Sequence, residues 1–454
     1  MTPHPGKAGP DTAVVLLGAF CLFLSTLEYL IPKPLPFIRI GLANLPLMLA
    51  LDLLSPRYFG LLALIKIAGA GIVGGTIFSY VFVFSLAGSA ASALVMYSLR
   101  RVSAGSRHSH SGTCRKSSPD QARLSLAGIG VAGAVCSSVV QLLLARFLIF
   151  GEGVRYLIPP FLALSLVTGC VLGLFSEQFC RRSRWYRAAL DGETCNTLND
   201  VPAGAGGQSR APMQTRRQAR RARWDGLFDG SELTIAGIAA LLMFLFTPST
   251  FGRILQFLFF WFCAWLSGRK NSPLMTLSVI AGIVLVNLLI PYGRVLTEIG
   301  PLHITAGSLA DGLRKAVTLE GLVMLSAAVI GGRPSSGGFL FGGKPGWVPL
   351  CPGVGRRIVV FGRLLGKSLS LFAVLREGGV RVRPGHFIDD VDVLFMKMDW
   401  FSPVENEKTE ISAVKRHPGF VFGRLWLVAG LGITLILMVL PFFLSRFLPN
   451  LVCF

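Results

Sequence analysis

The stretch Asp11–Ile31, DTAVVLLGAFCLFLSTLEYLI, is almost continuously apolar, and further runs of the same kind follow it along the chain. A helix needs about 20 mainly apolar residues to cross the hydrocarbon core of a bilayer. Only helices and closed barrels satisfy every backbone polar group in lipid, and these runs lack the alternation typical of membrane strands. The sequence therefore predicts an all-α, polytopic membrane protein with roughly ten or eleven spans.

The predicted spans form two groups. The first group contains Asp11–Ile31, Ile38–Leu54, Tyr58–Phe78, Tyr80–Leu99, Leu124–Phe150 and Leu157–Phe175. The second contains Leu233–Thr247, Ile254–Leu266, Leu274–Ile290, Lys315–Ile330 and Phe422–Phe447. These groups predict a six-span domain over residues 1–180 and a second membrane block over 232–331. A terminal transmembrane helix follows over 422–454.

Basic residues outnumber acidic residues by 44 to 23, which gives a formal net charge of +21. They concentrate between predicted spans, at residues 100–123, 181–187, 216–223 and 269–270. Lys and Arg accumulate in cytoplasmic loops because moving them across the membrane is unfavourable. We therefore predict a multi-pass protein of the inner (cytoplasmic) membrane with a cytoplasmic N-terminus. The charge then sets topology, and it does not indicate a nucleic-acid partner.

Two segments outside the predicted spans complete the organisation. Residues 181–231 are rich in Arg, Gly, Ser, Gln, Ala and Pro, a composition that predicts a flexible cytoplasmic linker. Residues 332–421 are rich in Gly, Pro and charge and are predicted to form a cytoplasmic segment. Its later part, Phe387–Met398, mixes acidic and apolar residues and is interpreted as a small helical element.

Ionisable and polar residues within or beside the apolar runs are the candidate site, because charge in lipid is costly and marks function by default. Glu28 and Arg39 flank Pro32–Phe37, a connection stiffened by three prolines. They either pair as a structural clamp or flank a solute entrance. Asn44 and Gln141 add neutral polar groups, whose alternative role is hydrogen bonding between helices.

Lys66 lies in the middle of an apolar run, deeper than easy snorkelling to the membrane surface allows. An ion pair with Asp52, one helix earlier, is the slightly favoured interpretation, and an anionic ligand is the alternative. The predicted substrate-binding set is therefore Glu28, Arg39, Asn44, Lys66 and Gln141.

The sequence does not predict an enzyme. The segment 359–368 resembles a phosphate loop but has Phe361 where the motif needs its first glycine. Asp389-Asp390-Val391-Asp392 lacks the spacing of the acidic array that binds prenyl diphosphates through magnesium. The Cys and His residues lack the spacing of a zinc site, and no nucleophile–base pair is evident. We therefore predict no catalytic residue, cofactor or metal ligand.

One motif connects the first group of spans with a known family. Its residues are Glu28-Tyr-Leu-Ile-Pro32, Pro36 and Arg39-Ile-Gly-Leu-Ala-Asn44, with Ser85–Gly88 and Gly133–Gln141 as later segments. They resemble the Gx transporter family, also described as heptaprenyl diphosphate synthase component I. The resemblance covers about residues 11–180 and implies a six-helix bundle like the substrate-binding components of energy-coupling-factor transporters. In such a bundle the first loop lies over a solute pocket.

The chain departs from that family at two places. Phe37 and Arg39 stand where the family usually has Gly-Lys, and Ser137 and Ser138 replace a His-Asn pair. Arg in place of Lys keeps the charge but changes its geometry. Loss of the imidazole removes any ligand or proton role that the family's His would have.

The second block shows a different resemblance. Ile290-Pro-Tyr-Gly-Arg-Val-Leu296, Ile299–Thr305 and Gly307 are similar to a segment of energy-coupling-factor transmembrane (T) components. The similarity covers about residues 233–331 and implies ATPase subunits as partners. The Ala-Arg-Gly-type coupling motif of those components is absent from this chain.

These resemblances lead to two functional hypotheses. In the first, the protein is a membrane transporter component that captures a small solute in the first bundle and moves it across the bilayer. In the second, it is a non-transporting membrane subunit that partners a prenyl diphosphate synthase or a redox complex.

Overall fold

The computed structural model describes residues 10–30, 41–105, 125–191, 230–267, 273–299, 302–330, 352–377, 391–392 and 419–447. Within these residues the regular secondary structure is helical except for one short β-hairpin, which confirms the predicted all-α class. Four stretches are long and apolar enough to cross a membrane: Pro10–Glu28, Pro56–Gly74, Tyr80–Ser103 and Leu126–Arg182. The last contains two successive helices, and shorter apolar helices accompany all four, as in a multi-pass membrane protein.

The first membrane block consists of six helices. They are α1 (Pro10–Leu30), α2 (Leu45–Leu53), α3 (Pro56–Gly74), α4 (Tyr80–Gly105), α5 (Leu126–Ala145) and α6 (Val154–Arg182). A π-helical turn, Arg146–Phe150, and a 3-10 turn, Gly151–Gly153, join α5 to α6. A short helix, α7 (Arg184–Asp191), follows.

The second helix is shorter than the predicted span Ile38–Leu54. A 3-10 turn, Leu42–Asn44, leads into α2, whose nine residues extend for only about 14 Å. Gly41 starts this turn at φ +88°, a left-handed conformation that side chains rarely adopt. The apolar pattern gave no sign of this break, because Leu42–Leu53 stays hydrophobic through it. As a result α2 begins inside the block.

Small residues let α5 and α6 approach closely. A Cβ on Gly173 would lie 2.4 Å from the Cα of Ala127, and a Cβ on Gly169 would lie 2.8 Å from the Cα of Val131. The spacing Gly169-x-x-x-Gly173 is therefore used for tight helix packing.

The second membrane block contains α8 (Gly230–Leu245), α9 (Thr250–Leu266), α10 (Pro273–Leu288), α11 (Ala306–Ile330) and α13 (Gly419–Phe447). Between α10 and α11 the antiparallel strands β1 (Val295–Ile299) and β2 (Leu302–Thr305) form a hairpin that the sequence did not predict. The helix α11 begins well before its predicted span. Its first turns carry Asp311 and Arg314, which lower the local hydropathy without breaking the helix.

The two blocks share part of their core. One cluster joins Tyr80 and Phe84 of α4 and Leu142 of α5 to Ile283 of α10 and Ala316 of α11, all of them buried. Further along α11, the Ser326 hydroxyl accepts a hydrogen bond at 3.1 Å from the backbone N–H of Phe78. The buried part of the interface between the blocks is therefore mainly apolar, and one hydrogen bond between described residues crosses it.

The helix α12 (Pro352–Glu377) packs against α1 and α3 of the first block. Its apolar stripe joins the first block's largest core through Leu364, Leu365, Leu369, Phe372 and Leu375. Ser368 donates a hydrogen bond to the Val15 carbonyl oxygen at 3.2 Å. Part of the predicted segment 332–421 is thus attached to the first block; the side of the membrane on which it lies stays a prediction.

Candidate functional site

A buried polar cluster lies where α2 begins. Lys66 is ten residues into the nineteen-residue helix α3, is only 4 % exposed, and donates a hydrogen bond to Oδ1 of Asn44. Asn44 is the residue that precedes α2, yet its side chain makes no hydrogen bond to its own helix. The Asn44 amide oxygen is therefore directed at Lys66 and does not cap α2.

Glu28 approaches the same turn from α1. Its side chain is 5 % exposed, and Oε1 accepts a hydrogen bond from the backbone N–H of Gly41 at 3.3 Å. The thiol of Cys21, also on α1, is directed at the Ala43 carbonyl oxygen at 3.6 Å. The structure thus brings Glu28, Asn44 and Lys66, three of the predicted site residues, to one short turn.

The electrostatics of this cluster favour a small charged or polar group. The N-terminus of a helix presents unpaired N–H groups and a partial positive charge. At the start of α2 the donor is the ammonium group of Lys66, because the Leu45 N–H is bonded to the Leu42 carbonyl oxygen and Pro46 has no N–H. Glu28 supplies an acceptor at the Gly41 turn. A carboxylate or other anionic group finds donors here, and a cationic group finds an acceptor.

The pairing predicted between Lys66 and Asp52 was wrong. Asp52 forms a two-pronged ion pair with Arg100 of α4, at 2.8 Å from Nε and 2.5 Å from Nη2. The reason is axial distance: Asp52 lies eight residues after Asn44, about 12 Å along α2 from the level of Lys66. Asp52 is therefore at the end of the block where α4 terminates.

The other two predicted residues are placed differently. Gln141 lies on α5, donates a hydrogen bond to the Ser137 hydroxyl at 3.4 Å, and packs closely against Gly88 of α4. This contact is between α4 and α5, so a shared site with Lys66 stays a prediction. Arg39, like the connection 32–37, is outside the described residues.

A second polar cluster lies beyond the end of α6. The Asp392 carboxylate accepts hydrogen bonds from the Ser183 hydroxyl and from the backbone N–H groups of Arg184 and Trp185, each N–H at 3.1 Å. It therefore caps α7, which the sequence did not predict. Burial and the neighbouring Cys180 and Asp52 raise the pKa of Tyr186 above its usual value, so this phenol stays neutral.

Sequence reasoning also missed two polar features of the second block. A cleft of about 300 Å³ between the blocks is lined by Leu148, Ile149, Arg253, Asp311, Arg314, Lys315, Thr318 and Leu319. Glu320, one residue further along α11, is 3 % exposed. The signal for Glu320 was present, since it is an acidic residue within the predicted span Lys315–Ile330.

Metal ligation finds no support in the described parts of the chain, where no three His, Cys, Asp or Glu side chains are grouped to hold an ion. The described polar clusters contain hydrogen-bond donors and acceptors that are matched to one another.

Comparison with known families divides the chain at the same place as the two membrane blocks. Residues 233–330 match a domain of unknown function (DUF8519), so the resemblance to transmembrane (T) components stays a prediction. No curated protein and no solved structure matches the chain. Residues 17–179 match the family of heptaprenyl diphosphate synthase component I, the relationship that the motif from Glu28 to Asn44 predicted.

Proposed function

We propose that this protein is a transport component of the membrane that captures a small solute in its first block. The observation that carries the proposal is the buried contact between Lys66 and Asn44 at the start of the short helix α2. Helices that begin or break inside the membrane are typical of solute sites in transporters, because their ends expose backbone groups to a ligand.

The proposed solute carries an anionic or strongly polar group. Lys66 would bind that group, with Asn44 as a neutral partner. Glu28 would bind a donor of the solute or hold the Gly41 turn in place. Arg39 and Gln141 are proposed as further binding residues, on the sequence argument alone.

The second block is proposed to move against the first, since the two share an apolar interface. Inner-membrane location, a cytoplasmic N-terminus and coupling to ATPase subunits belong to the same proposal. The support for them is the distribution of basic residues and the resemblance at Ile290–Gly307.

A thermal-shift screen in lipid nanodiscs tests solute capture. The panel consists of small carboxylates, phosphates and amino acids, and a bound solute stabilises the folded protein by mass action, about 2.7 kcal/mol at 100 times Kd. We expect at least one compound to raise the melting temperature of the native protein and to be accumulated by proteoliposomes. Lys66→Met should lose both effects.

The matched control is Lys367→Met, which removes an exposed lysine of α12. It should keep the shift and the uptake. A compound that stabilises Lys66→Met as strongly as the native protein would remove Lys66 from the site. Failure of the whole panel to stabilise the native protein would argue against solute capture.

A second candidate function rests on the family match itself. The description of that family names a component of heptaprenyl diphosphate synthase, which supports a membrane subunit partnering a prenyl synthase. Asp392 is engaged in capping α7, so its carboxylate is not directed at a magnesium–diphosphate complex. In this alternative the prenyl chemistry belongs to the partner.

Affinity purification of the full chain with a co-expressed prenyl diphosphate synthase tests this alternative. Co-purification, with synthase activity that depends on this chain, would favour it over transport. Unchanged synthase activity in the absence of the chain would reject it.

A further inference from the structure

Glu320 lies on the side of α11 next to the apolar cluster that the two blocks share. Ala316, one turn earlier, is fully buried in the cluster that contains Tyr80 and Phe84 of α4, and Val323, one turn later, packs against the same cluster. Residues three and four apart share one face of a helix. Glu320, which is 3 % exposed, therefore lies beside the apolar cluster that the two blocks share.

The carboxyl group of Glu320 has no partner among the residues that the structure describes: neither a hydrogen bond nor an ion pair reaches it. Glu28, by contrast, accepts from Gly41, and Asp52 is paired with Arg100. An unpartnered acid at this depth is unusual, because a carboxylate charge in an apolar interior is costly.

The titratable groups of the neighbouring helices are engaged elsewhere or make no contact with this acid. The helix α10 contains no titratable residue. The titratable residues nearest α11 on the other helices are Tyr80 of α4, Glu232 of α8, and Arg253 and Cys263 of α9. Arg253 donates to the Thr247 carbonyl oxygen and to the Thr318 hydroxyl. On α11 itself Lys315 pairs with Asp311 and donates to Asn287. Arg314 faces the cleft that Arg253 also lines.

From this geometry we infer that Glu320 is a proton-binding site between the two membrane blocks. The bound proton makes the side chain neutral, so the apolar interface closes over it. Loss of the proton leaves a carboxylate beside apolar side chains, with no described residue to pair with it, and this weakens the contact between the blocks. Glu320 therefore links proton binding to the contact between the blocks.

Melting curves of the full chain in nanodiscs, recorded from about pH 5 to pH 9, test the linkage. If the folded protein holds a proton that the unfolded chain releases, stability is present at low pH and falls as the pH rises. We expect the melting temperature of the native protein to fall with pH. Glu320→Gln, which is neutral throughout, should lose most of that dependence.

The matched control is Glu152→Gln, because the Glu152 side chain is 70 % exposed. It should keep the pH dependence of the native protein. Infrared spectroscopy supplies a second readout: the C=O band of a protonated, buried carboxyl should be present in the native protein and in Glu152→Gln. It should be absent from Glu320→Gln.

Glu320→Leu is a second test variant in case Glu320→Gln does not fold, since leucine places no polar atom in the interface. It should also melt independently of pH over this range. Both Glu320 variants melting below the native protein at every pH would overturn the inference, because the carboxylate itself would then be making a contact. A carboxyl band that survives in either variant would overturn it as well. Neither readout requires a solute, so failure of the transport proposal and failure of this one are distinguishable.

Discussion

The two membrane blocks differ in how they hold buried Lys and Glu side chains. In the first block, Lys66 and Glu28 each have a partner within the block, contributed by Asn44 and Gly41. In the second block, Glu320 is buried as deeply, and no described residue pairs with it. A charged side chain with a partner is held in one geometry, whereas the charge of an acid without a described partner depends on whether a proton is bound. The comparison indicates a preorganised first block and a second block that responds to its surroundings.

The largest expected effect comes from breaking the scaffold of the first block. Gly173→Val places a side chain against the backbone of α5, where a Cβ would already lie 2.4 Å from the Cα of Ala127. Backbone cannot move aside as a side chain can, so we expect a loss of about 3 kcal/mol or failure to fold. Thermal unfolding in detergent measures it.

Gly128→Val is the control for this substitution. Gly128 is on α5, close to the same contact, but nothing lies within 4 Å of a Cβ built there. Valine at this exposed position should change stability by less than about 0.5 kcal/mol. If both variants were equally unstable, close approach of α5 and α6 would not be the cause.

A double-mutant cycle on Asp52 and Arg100 sharpens the claim that the first block's charges are partnered. Their side chains are 30 % and 12 % exposed, and two short hydrogen bonds join them. We expect a coupling of about 1–2 kcal/mol from Asp52→Asn, Arg100→Gln and the double variant. Equilibrium unfolding of the four proteins gives the value.

The reference cycle is Arg146 with Glu152, which are 54 % and 70 % exposed and joined at 2.6 Å. Because solvent screens this pair, its coupling should be below about 0.5 kcal/mol. Equal coupling energies in the two cycles would contradict the expectation that the less exposed pair, Asp52 with Arg100, is the more strongly coupled.

A smaller effect is expected where the chain between α11 and α13 attaches to the first block. Asp392→Ala removes the carboxylate that caps α7 and should cost about 1 kcal/mol. Limited proteolysis should cut this variant faster near residues 183–191. Asp11→Asn, which breaks a 3.5 Å exposed pair with Arg363 of α12, should have almost no effect. The attachment assignment fails if the two variants behave alike.

Hydrophobic patterning predicted the membrane class and the positions of most helices, because lipid imposes strong limits on composition. It also singled out Glu28, Asn44 and Lys66, which meet at one turn, and their role in binding stays a prediction. It could not predict that Asp52 pairs with Arg100, since this depends on where α2 begins. The start of α2 is set by the Gly41 turn, which is hidden inside an apolar run. The hairpin and α12 were missed because short strands and a charged amphipathic helix give weak signals beside membrane spans.

The smallest expected effect compares one neutral polar residue from each block. Gln256 of α9 is fully buried, accepts a hydrogen bond from Thr247 at 2.9 Å and donates one to the Thr434 carbonyl oxygen of α13 at 3.0 Å. Gln256→Leu should cost only about 0.6 kcal/mol, because side-chain hydrogen bonds between membrane helices are weak on average. Unfolding measurements on purified protein test this cost.

Gln141→Leu in the first block should cost as little stability, since its hydrogen bond to Ser137 is long at 3.4 Å. The two variants should nevertheless differ in function. If Gln141 binds solute as proposed, Gln141→Leu abolishes the ligand-induced thermal shift that Gln256→Leu retains. Equal retention of the shift in both variants would make Gln141 a packing residue between α4 and α5, and would confine the site to the turn around Asn44 and Lys66.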